Sequence, residues 1–321
     1  MSVSGLGLRL AARGGPVTLL SDVAFDVAEG EIVGLVGESG SGKSLTCRSL
    51  MQLLPPNIAI SAGQAQLDGE DVLRLSEKDM RRVRGRKIGM IFQNPSTYLD
   101  PVMTIGDQIA ESLRMHEGMP RHEALKEAAE LLRQVGIPDP AARVHNYPHE
   151  FSGGMRQRAM IAGALACKPR LLIADEPTTA LDVTIQAQIL RLLLDLRDRL
   201  GLSIILVTHD LSVVTQTCDK VVVLYSGRVM EIAPTADLLS KPLHPYAKGL
   251  IASQPELAEP GSALPSIPGQ PPGPSEHIAG CRFAPRCKDA RERCERELPP
   301  LVGAGAGRAS SCLFWPELAA S

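Results

Sequence analysis

The sequence lacks any segment that would carry the chain into or across a membrane. In its 321 residues no apolar run approaches the roughly 18–20 residues needed to span a bilayer. The N-terminus has neither the basic nor the apolar region of a signal peptide. These absences argue against an integral membrane protein and a secreted one. They predict a cytoplasmic chain that reaches a membrane only through a partner.

The sequence also lacks a dominant charge. Its 34 basic and 36 acidic residues leave a net charge of −2, so no overall field attracts nucleic acid. Disulfides are a further expected absence, because cytoplasmic thiols stay reduced, and the seven cysteines are predicted to be free or metal-bound. The last four are spaced C-x5-C-x6-C-x17-C, without a C-x-x-C pair, and this spacing alone identifies no metal.

A hydrophobic content of 44% indicates a globular protein with a sizeable core. Strand and helix patterns alternate from the N-terminus to about residue 253, which predicts an α/β domain with a mostly parallel sheet. A shorter pattern, Ala65–Gly69, predicts a strand that closes on a turn. The other predicted strands are Ile32–Val36, Ile88–Phe92, Arg170–Ala174 and Ser203–Val207, and the predicted helices are Leu45–Leu54, Thr104–Met115, Arg121–Val135, Gly153–Ala166 and Ile185–Leu200.

Proline changes the composition after residue 254. Seven prolines lie between Pro255 and Pro274, and they predict an extended linker over residues 255–280. The tail that follows, residues 281–321, has too little apolar content to form a core unaided. A covalent cross-link or a structural metal site is therefore expected within this tail.

The most specific motif is the string Gly37-Glu38-Ser39-Gly40-Ser41-Gly42-Lys43-Ser44, of the form G-x-x-x-x-G-K-[ST]. It lies between a predicted strand and a predicted helix, the context that this phosphate-binding motif requires. Its glycines let backbone N–H groups converge on a phosphate, while Lys43 supplies a positive charge and the Ser44 hydroxyl is placed to ligate Mg²⁺. The chain is thus predicted to bind a nucleoside triphosphate through Gly37, Ser39, Gly40, Ser41, Gly42, Lys43 and Ser44.

Two further strings place polar residues at the ends of predicted elements. The apolar string Leu171–Glu176 ends in Asp175 and Glu176, which predicts an Mg²⁺ ligand followed by a base that orients water. Ser152 predicts an N-cap, and the two glycines after it expose the first N–H groups of a helix, so this is a second anion site. Two such sites for one nucleotide are explained if they face each other across a dimer.

These strings resemble the motifs of the ATP-binding-cassette (ABC) family over residues 1 to about 254. Gly37–Ser44 is similar to its Walker A motif, Ser152–Gln157 to its signature motif, and Leu171–Glu176 to its Walker B motif. Three shorter matches follow the same order: Gln93 resembles the Q-loop glutamine, Ala180-Leu181-Asp182 the D-loop, and His209 the switch histidine.

The resemblance implies a P-loop NTPase with a mostly parallel core sheet, a small antiparallel β subdomain and a helical subdomain at about residues 95–165. It also implies an ATPase in which two chains close on two ATP molecules. The roles implied by the resemblance are catalytic for Glu176, His209 and Gln93, Mg²⁺ binding for Ser44, Gln93 and Asp175, and nucleotide binding for Asp175, Gln157, Asp182 and, on the partner's nucleotide, Ser152, Gly153 and Gly154.

One feature of the family is missing. The family usually places an aromatic residue before the second strand to stack on adenine, and no aromatic residue precedes Phe25 here. Arg13 lies near the expected position, and a guanidinium can stack on a base. Arg13 is therefore the predicted base contact, and a preference for ATP over GTP does not follow from the sequence.

The C-terminal part resembles one ABC subfamily, the ATPases of oligopeptide and dipeptide importers, which includes nickel importers. The matching strings are Leu243–Leu250, the proline-rich linker and Gly280–Cys287. The resemblance implies a heterodimer with a homologous ATPase, two membrane permeases, an extracytoplasmic solute-binding protein, and a peripheral position at the cytoplasmic face of the inner membrane.

Three functions stay open at this stage. The first is the ATPase of a peptide importer, and the second is that of an importer of nickel or another small solute. The third is a non-transport ABC ATPase acting on nucleic acid or ribosomes. This third function is disfavoured because the chain carries one cassette, no long coiled-coil insert and no basic excess.

Within the subfamily, a tail with four cysteines implies a [4Fe–4S] cluster, here bound by Cys281, Cys287, Cys294 and Cys312. The surrounding basic residues would offset the negative charge of a cluster held by four thiolates; they are Arg282, Arg286, Lys288, Arg291, Arg293 and Arg296. Zn²⁺ bound by the same cysteines, or free thiols within a solvated basic face, are the alternatives.

Overall fold

The computed structural model describes residues 1–179, 181–254, 265–276 and 278–320. Residues 255–264 and 277 of the predicted linker, and Ala180 of the D-loop match, lie outside the described residues. The chain forms two compact units, which are described separately below. Unit 1 comprises Met1–Val27, Ile32–Arg74 and Thr208–Ser321, and unit 2 comprises Ala28–Glu31 and Leu75–Val207.

The helices and strands have the following bounds within the described residues. The strands are β1 Ser2–Leu10, β2 Val17–Asp26, β3 Ile32–Val36, β4 Ile58–Leu67, β5 Glu70–Asp71, β6 Ile88–Ile91, β7 Leu171–Asp175, β8 Ser203–Val207, β9 Lys220–Tyr225, β10 Arg228–Pro234, β11 Val302–Gly305 and β12 Arg308–Ser310. The α-helices are α1 Lys43–Leu50, α2 Glu77–Val83, α3 Pro95–Tyr98, α4 Ile105–Glu117, α5 Arg121–Gln134, α6 Pro140–Arg143, α7 Gly153–Leu165, α8 Val183–Leu200, α9 Leu211–Thr217, α10 Thr235–Ser240, α11 Pro245–Ala252, α12 Glu292–Arg296 and α13 Trp315–Ala320. Short 3₁₀ helices span Pro148–Glu150 and Ala284–Arg286.

Unit 1 contains two groups of paired strands. The first is an antiparallel sheet in the order β2-β1-β4-β5. Its β4 and β5 are joined by Asp68 and Gly69, which have φ of 51° and 81°, so the predicted turn at Gly69 is confirmed. In the second group β3 pairs in parallel with β9, and β9, β10, β12 and β11 follow in antiparallel order. All five residues of β3 are buried, which places the strand before the glycine-rich loop in the core of this unit.

Unit 2 combines three parallel strands with helices. Its strands β8, β7 and β6 pair in parallel, and every residue of β7 and β8 is buried. Helix α4 begins where the Thr104 hydroxyl accepts a hydrogen bond from the Asp107 N–H, and it ends at Gly118, whose φ is 66°. Residues Ile105, Ile109 and Leu113, spaced by one turn, form its buried face. The mixture of parallel strands, an antiparallel sheet and helices confirms the predicted fold class.

The bounds of several elements differ from the predictions. Strands β3 and β8 have the predicted bounds, whereas β7 lies one residue later than predicted and includes Asp175. Helix α1 begins at Lys43 and ends at Leu50, so the predicted end at Leu54 is wrong. None of the helices in the described ranges is long and apolar enough to cross a membrane.

Candidate functional site

The loop Gly37–Ser44 follows β3 in unit 1, and two of its glycines are required by their surroundings. Gly37 has a φ of 149°, and a Cβ there would lie 2.1 Å from the backbone oxygen of Leu224. Gly42 has a φ of 106°, and a Cβ there would lie 2.5 Å from the Cδ2 atom of Leu20. Because neither position has room for a side chain, both must be glycine for the loop to keep this conformation.

Two polar side chains of this loop, Ser41 and Lys43, are buried. The Lys43 Nζ donates hydrogen bonds to the Gly37 oxygen at 2.7 Å and the Glu38 oxygen at 3.0 Å, and the residue is only 5% exposed. The Ser41 hydroxyl is buried and has no hydrogen-bond partner within the described chain. Helix α1 starts at Lys43, so its N-terminal end faces the loop with its partial positive charge. The arrangement supplies donors and positive charge suited to an anion.

His209 lies in the same unit as this loop. The N–H of Thr208, the residue before it, donates to the Leu35 oxygen in β3 at 3.2 Å. His209 therefore follows directly on a residue that is paired with the end of the strand leading into Gly37. Arg13, the predicted base contact, is exposed in the turn between β1 and β2 of this unit.

In unit 2 the structure brings Gln93 and Glu176 together. Asp175 is the last residue of β7 and is only 1% exposed. Glu176 has a φ of 49°, an unfavourable backbone conformation for this residue type, and such strain concentrates at functional sites. Its Oε2 accepts hydrogen bonds from the Gln93 Nε2 at 2.8 Å and from the Thr179 hydroxyl at 2.9 Å. The contact with Thr179 was not predicted from the sequence.

The start of α7 has the predicted cap. The Ser152 hydroxyl accepts a hydrogen bond from the Met155 N–H at 3.3 Å. A Cβ at Gly154 would lie 2.8 Å from the Cγ2 atom of Ile185, in the first turn of α8, so this glycine allows the two helix starts to approach. Asp182 caps α8 by accepting from the Ile185 N–H at 3.0 Å. Gln157 is 1% exposed, and its Nε2 has no hydrogen-bond partner in the part of unit 2 that is described.

The four cysteines of the tail line one small cavity of about 20 Å³ in unit 1, with Phe283 and Phe314 among its walls. Burial raises the pKa of Cys281 to about 11, that of Cys287 to about 12, and also the pKa of Cys312. These thiols are therefore protonated at neutral pH unless a cation binds them. Across residues 1–179, 181–254, 265–276 and 278–320, no three His, Cys, Asp or Glu side chains are placed to hold one metal ion.

Arg286 has a different environment from the one expected of a solvated basic face. It is only 8% exposed, and its guanidinium lies 2.7 Å from the carboxylate of Glu38 in the glycine-rich loop. This contact was not predicted from the sequence, because several arginines of the tail and Arg48 near the loop are equally plausible partners of Glu38.

Two family models match the chain. The ABC transporter model covers residues 20–179, and the model of the oligopeptide/dipeptide transporter C-terminal region covers residues 230–294. A peptide ABC transporter ATP-binding protein of Sinorhizobium fredii is 52% identical over 295 residues, which are 91% of this chain and 88% of that protein. This chain belongs to the ATP-binding proteins of ABC transporters. A protein of Brucella melitensis, named for peptide import, is 48% identical over 332 residues, covering 100% of this ABC protein and 98% of the relative.

Solved ABC cassettes share the fold. One, a dimer in a post-hydrolysis state bound to ADP and phosphate, has a TM-score of 0.65 at 28% identity and covers 73% of this chain and 98% of its own. Another is from Clostridium perfringens and is part of the ABC transporter complex cbiONQ. It has a TM-score of 0.63 at 28% identity and covers 74% of this chain and 89% of its own. As a member of the family, this ABC protein is an ATPase that uses ATP and Mg²⁺.

Proposed function

We propose that this ABC protein is the ATP-hydrolysing subunit that energises a membrane importer of di- or oligopeptides. The observation that carries the proposal is the match of residues 230–294 to the oligopeptide/dipeptide transporter C-terminal region, joined to an ABC cassette. Relatives that align with this chain over most of their length are named for peptide transport or import. In this proposal residues 1–254 form the cassette, with a helical subdomain at about 95–165, and residues 281–321 form the C-terminal region.

The loop Gly37–Ser44 holds the triphosphate. Its backbone N–H groups and the start of α1 face the phosphates, and the Lys43 Nζ exchanges the two loop carbonyls that it contacts at 2.7 and 3.0 Å for phosphate oxygens. The buried Ser41 hydroxyl gains an acceptor for its hydrogen. Ser44, Gln93 and Asp175 are the proposed Mg²⁺ ligands, all oxygen donors as this ion prefers. Arg13 remains the proposed contact of the base.

Glu176 acts as the base that orients a water against the γ-phosphate. Two hydrogen bonds to its Oε2, from Gln93 and Thr179, hold the carboxylate in the position from which it would orient the water. Gln93, also a proposed Mg²⁺ ligand, thereby links the metal to the base. His209 is proposed to stabilise the γ-phosphate during hydrolysis.

The start of α7 acts on the nucleotide of a partner chain. Ser152, Gly153 and Gly154 present its first N–H groups, and Asp182 at the start of α8 adjoins them. We propose that the partner is a homologous ATPase and that both cassettes lie beneath two permeases at the cytoplasmic face of the membrane. An extracytoplasmic solute-binding protein supplies the cargo. Support for the pairing comes from related cassettes whose solved structures are dimeric.

The cargo is tested by reconstitution. The chain is expected to copurify with two multi-spanning permeases, and the complex in liposomes is expected to import a labelled oligopeptide delivered by its solute-binding protein. A complex carrying Glu176→Gln serves as the control without turnover. Uptake of Ni²⁺ without uptake of peptide would contradict the peptide assignment. Salt-sensitive binding to nucleic acid with no permease would contradict transport altogether.

We further propose that Cys281, Cys287, Cys294 and Cys312 hold a [4Fe–4S] cluster that stabilises the fold of the C-terminal region. The four thiols line one small apolar cavity, and a [4Fe–4S] cluster needs four thiolates, one for each iron. Zn²⁺ bound by the same four cysteines is the alternative, and metal analysis distinguishes the two.

Anaerobically purified protein is expected to be coloured and to contain about four iron atoms per chain. Cys294→Ser is expected to lower the iron content, whereas Cys218→Ser, at a buried cysteine remote from the cavity lining, keeps it. A colourless preparation with bound zinc, or one without metal, would overturn the cluster proposal.

A further inference from the structure

The C-terminal region contacts the phosphate-binding loop at Glu38. The Arg286 guanidinium donates one hydrogen bond to each carboxylate oxygen of Glu38, at 2.7 and 3.0 Å. The Glu38 N–H donates to the Tyr246 hydroxyl in α11 at 2.9 Å. Both the side chain and the backbone of this loop residue are thus held by residues that follow the cassette's last strands.

Arg286 is itself fixed in place. Its Nε donates to the Pro268 oxygen at 2.8 Å, and its terminal nitrogens also donate to the Tyr225 hydroxyl at 3.2 Å and the Ile267 oxygen at 3.3 Å. Together with the two bonds to Glu38, all five guanidinium N–H groups have acceptors. A fully bonded, buried arginine is a rigid support for a carboxylate, in contrast to a flexible surface ion pair.

The contact matters because of what the loop binds. Glu38 lies next to Gly37, and its carbonyl oxygen is one of the two that Lys43 contacts. An unpaired carboxylate at this position would repel a triphosphate, and a displaced Glu38 would disturb the resting position of the Lys43 ammonium group. Arg286 offsets the negative charge of Glu38 and restrains its side chain through one bidentate ion pair.

We propose that Arg286 is a positioning residue for nucleotide binding, through which the C-terminal region neutralises and holds Glu38 of the phosphate-binding loop. The inference rests on the proposed function, in which Gly37–Ser44 binds the phosphates of ATP. It assigns the C-terminal region a role in the affinity for ATP in addition to any role in cluster binding.

The test is an equilibrium titration of the full chain with a fluorescent Mg·ATP analogue. Arg286→Ala is expected to weaken binding by about 10- to 100-fold, because it leaves the Glu38 carboxylate unpaired. Arg286→Lys keeps the positive charge but cannot make the bidentate contact with the carboxylate, so an intermediate affinity is expected. In the double variant Arg286→Ala with Glu38→Gln, most of the lost affinity is expected to return. In ATPase assays of the assembled complex, Arg286→Ala is expected to raise KM more than it lowers kcat.

A matched control separates positioning from general stability. Arg308 of the same C-terminal region lies 3.4 Å from the buried Glu231 and pairs with that residue instead of Glu38. Arg308→Ala is expected to lower the melting temperature without changing the affinity for Mg·ATP. Wild-type affinity in Arg286→Ala, equal weakening in Arg308→Ala, or no recovery in the double variant would each overturn this inference. Failure of the unmodified chain to bind Mg·ATP would instead overturn the proposed function itself.

Discussion

Replacing Glu176 with glutamine is expected to lower ATP turnover of the assembled complex by at least about 100-fold, because a positioned base supplies about 10²–10⁴ in rate. Binding of Mg·ATP is expected to persist, since glutamine has nearly the shape of glutamate and its amide oxygen still accepts from Thr179. Phosphate release reports the turnover, and nucleotide titration reports the binding.

Glu111→Gln is the matched control for this variant. Glu111 is exposed on α4, so the same chemical change there is expected to leave turnover intact. Unchanged ATPase activity in Glu176→Gln would remove Glu176 from its role. The strained backbone at this residue, with φ of 49°, would then have no catalytic explanation.

Replacing Lys43 with alanine is expected to weaken the binding of Mg·ATP by at least about 100-fold. In the proposed binding mode the ammonium group donates hydrogen bonds to charged phosphate oxygens, and such bonds contribute roughly 1.5–3 kcal/mol each. Lys126→Ala, at an exposed residue of α5 that is not part of the loop, removes the same charge and is expected to bind normally. Equal affinity in the Lys43 and Lys126 variants would exclude the loop as the phosphate site.

The position of the glycine-rich loop between β3 and α1 could be predicted from the sequence because its requirements are local. A buried strand, glycines at crowded positions and a lysine at the helix start are adjacent in the chain, and β3 has the predicted bounds. The end of α1 could not be predicted in the same way. The Leu53 N–H turns back to the Arg48 oxygen at 2.8 Å while Gln52 adopts a φ of 50°, so the helix ends before the prolines without any glycine.

The environment of Arg286 shows a different limit. Among the basic residues of the tail, the sequence does not distinguish the one that is buried from those that are solvated. Its partner Glu38 lies 248 residues away in the chain, and only the folded arrangement of α11 and the tail brings the two together. That the four cysteines of the tail act together could be predicted because all lie within one short segment of the chain. The structure places them around one cavity.

In the proposed function, ATP closes this cassette on a partner cassette, and the start of α7 from each chain contacts the other chain's nucleotide. The most direct measurement is the molar mass, by light scattering, of the Glu176→Gln chain mixed with its homologous partner ATPase, with and without Mg·ATP. We expect a stable pair of cassettes that forms only when Mg·ATP is present and is lost in Ser152→Arg. The same mass with and without nucleotide would contradict it.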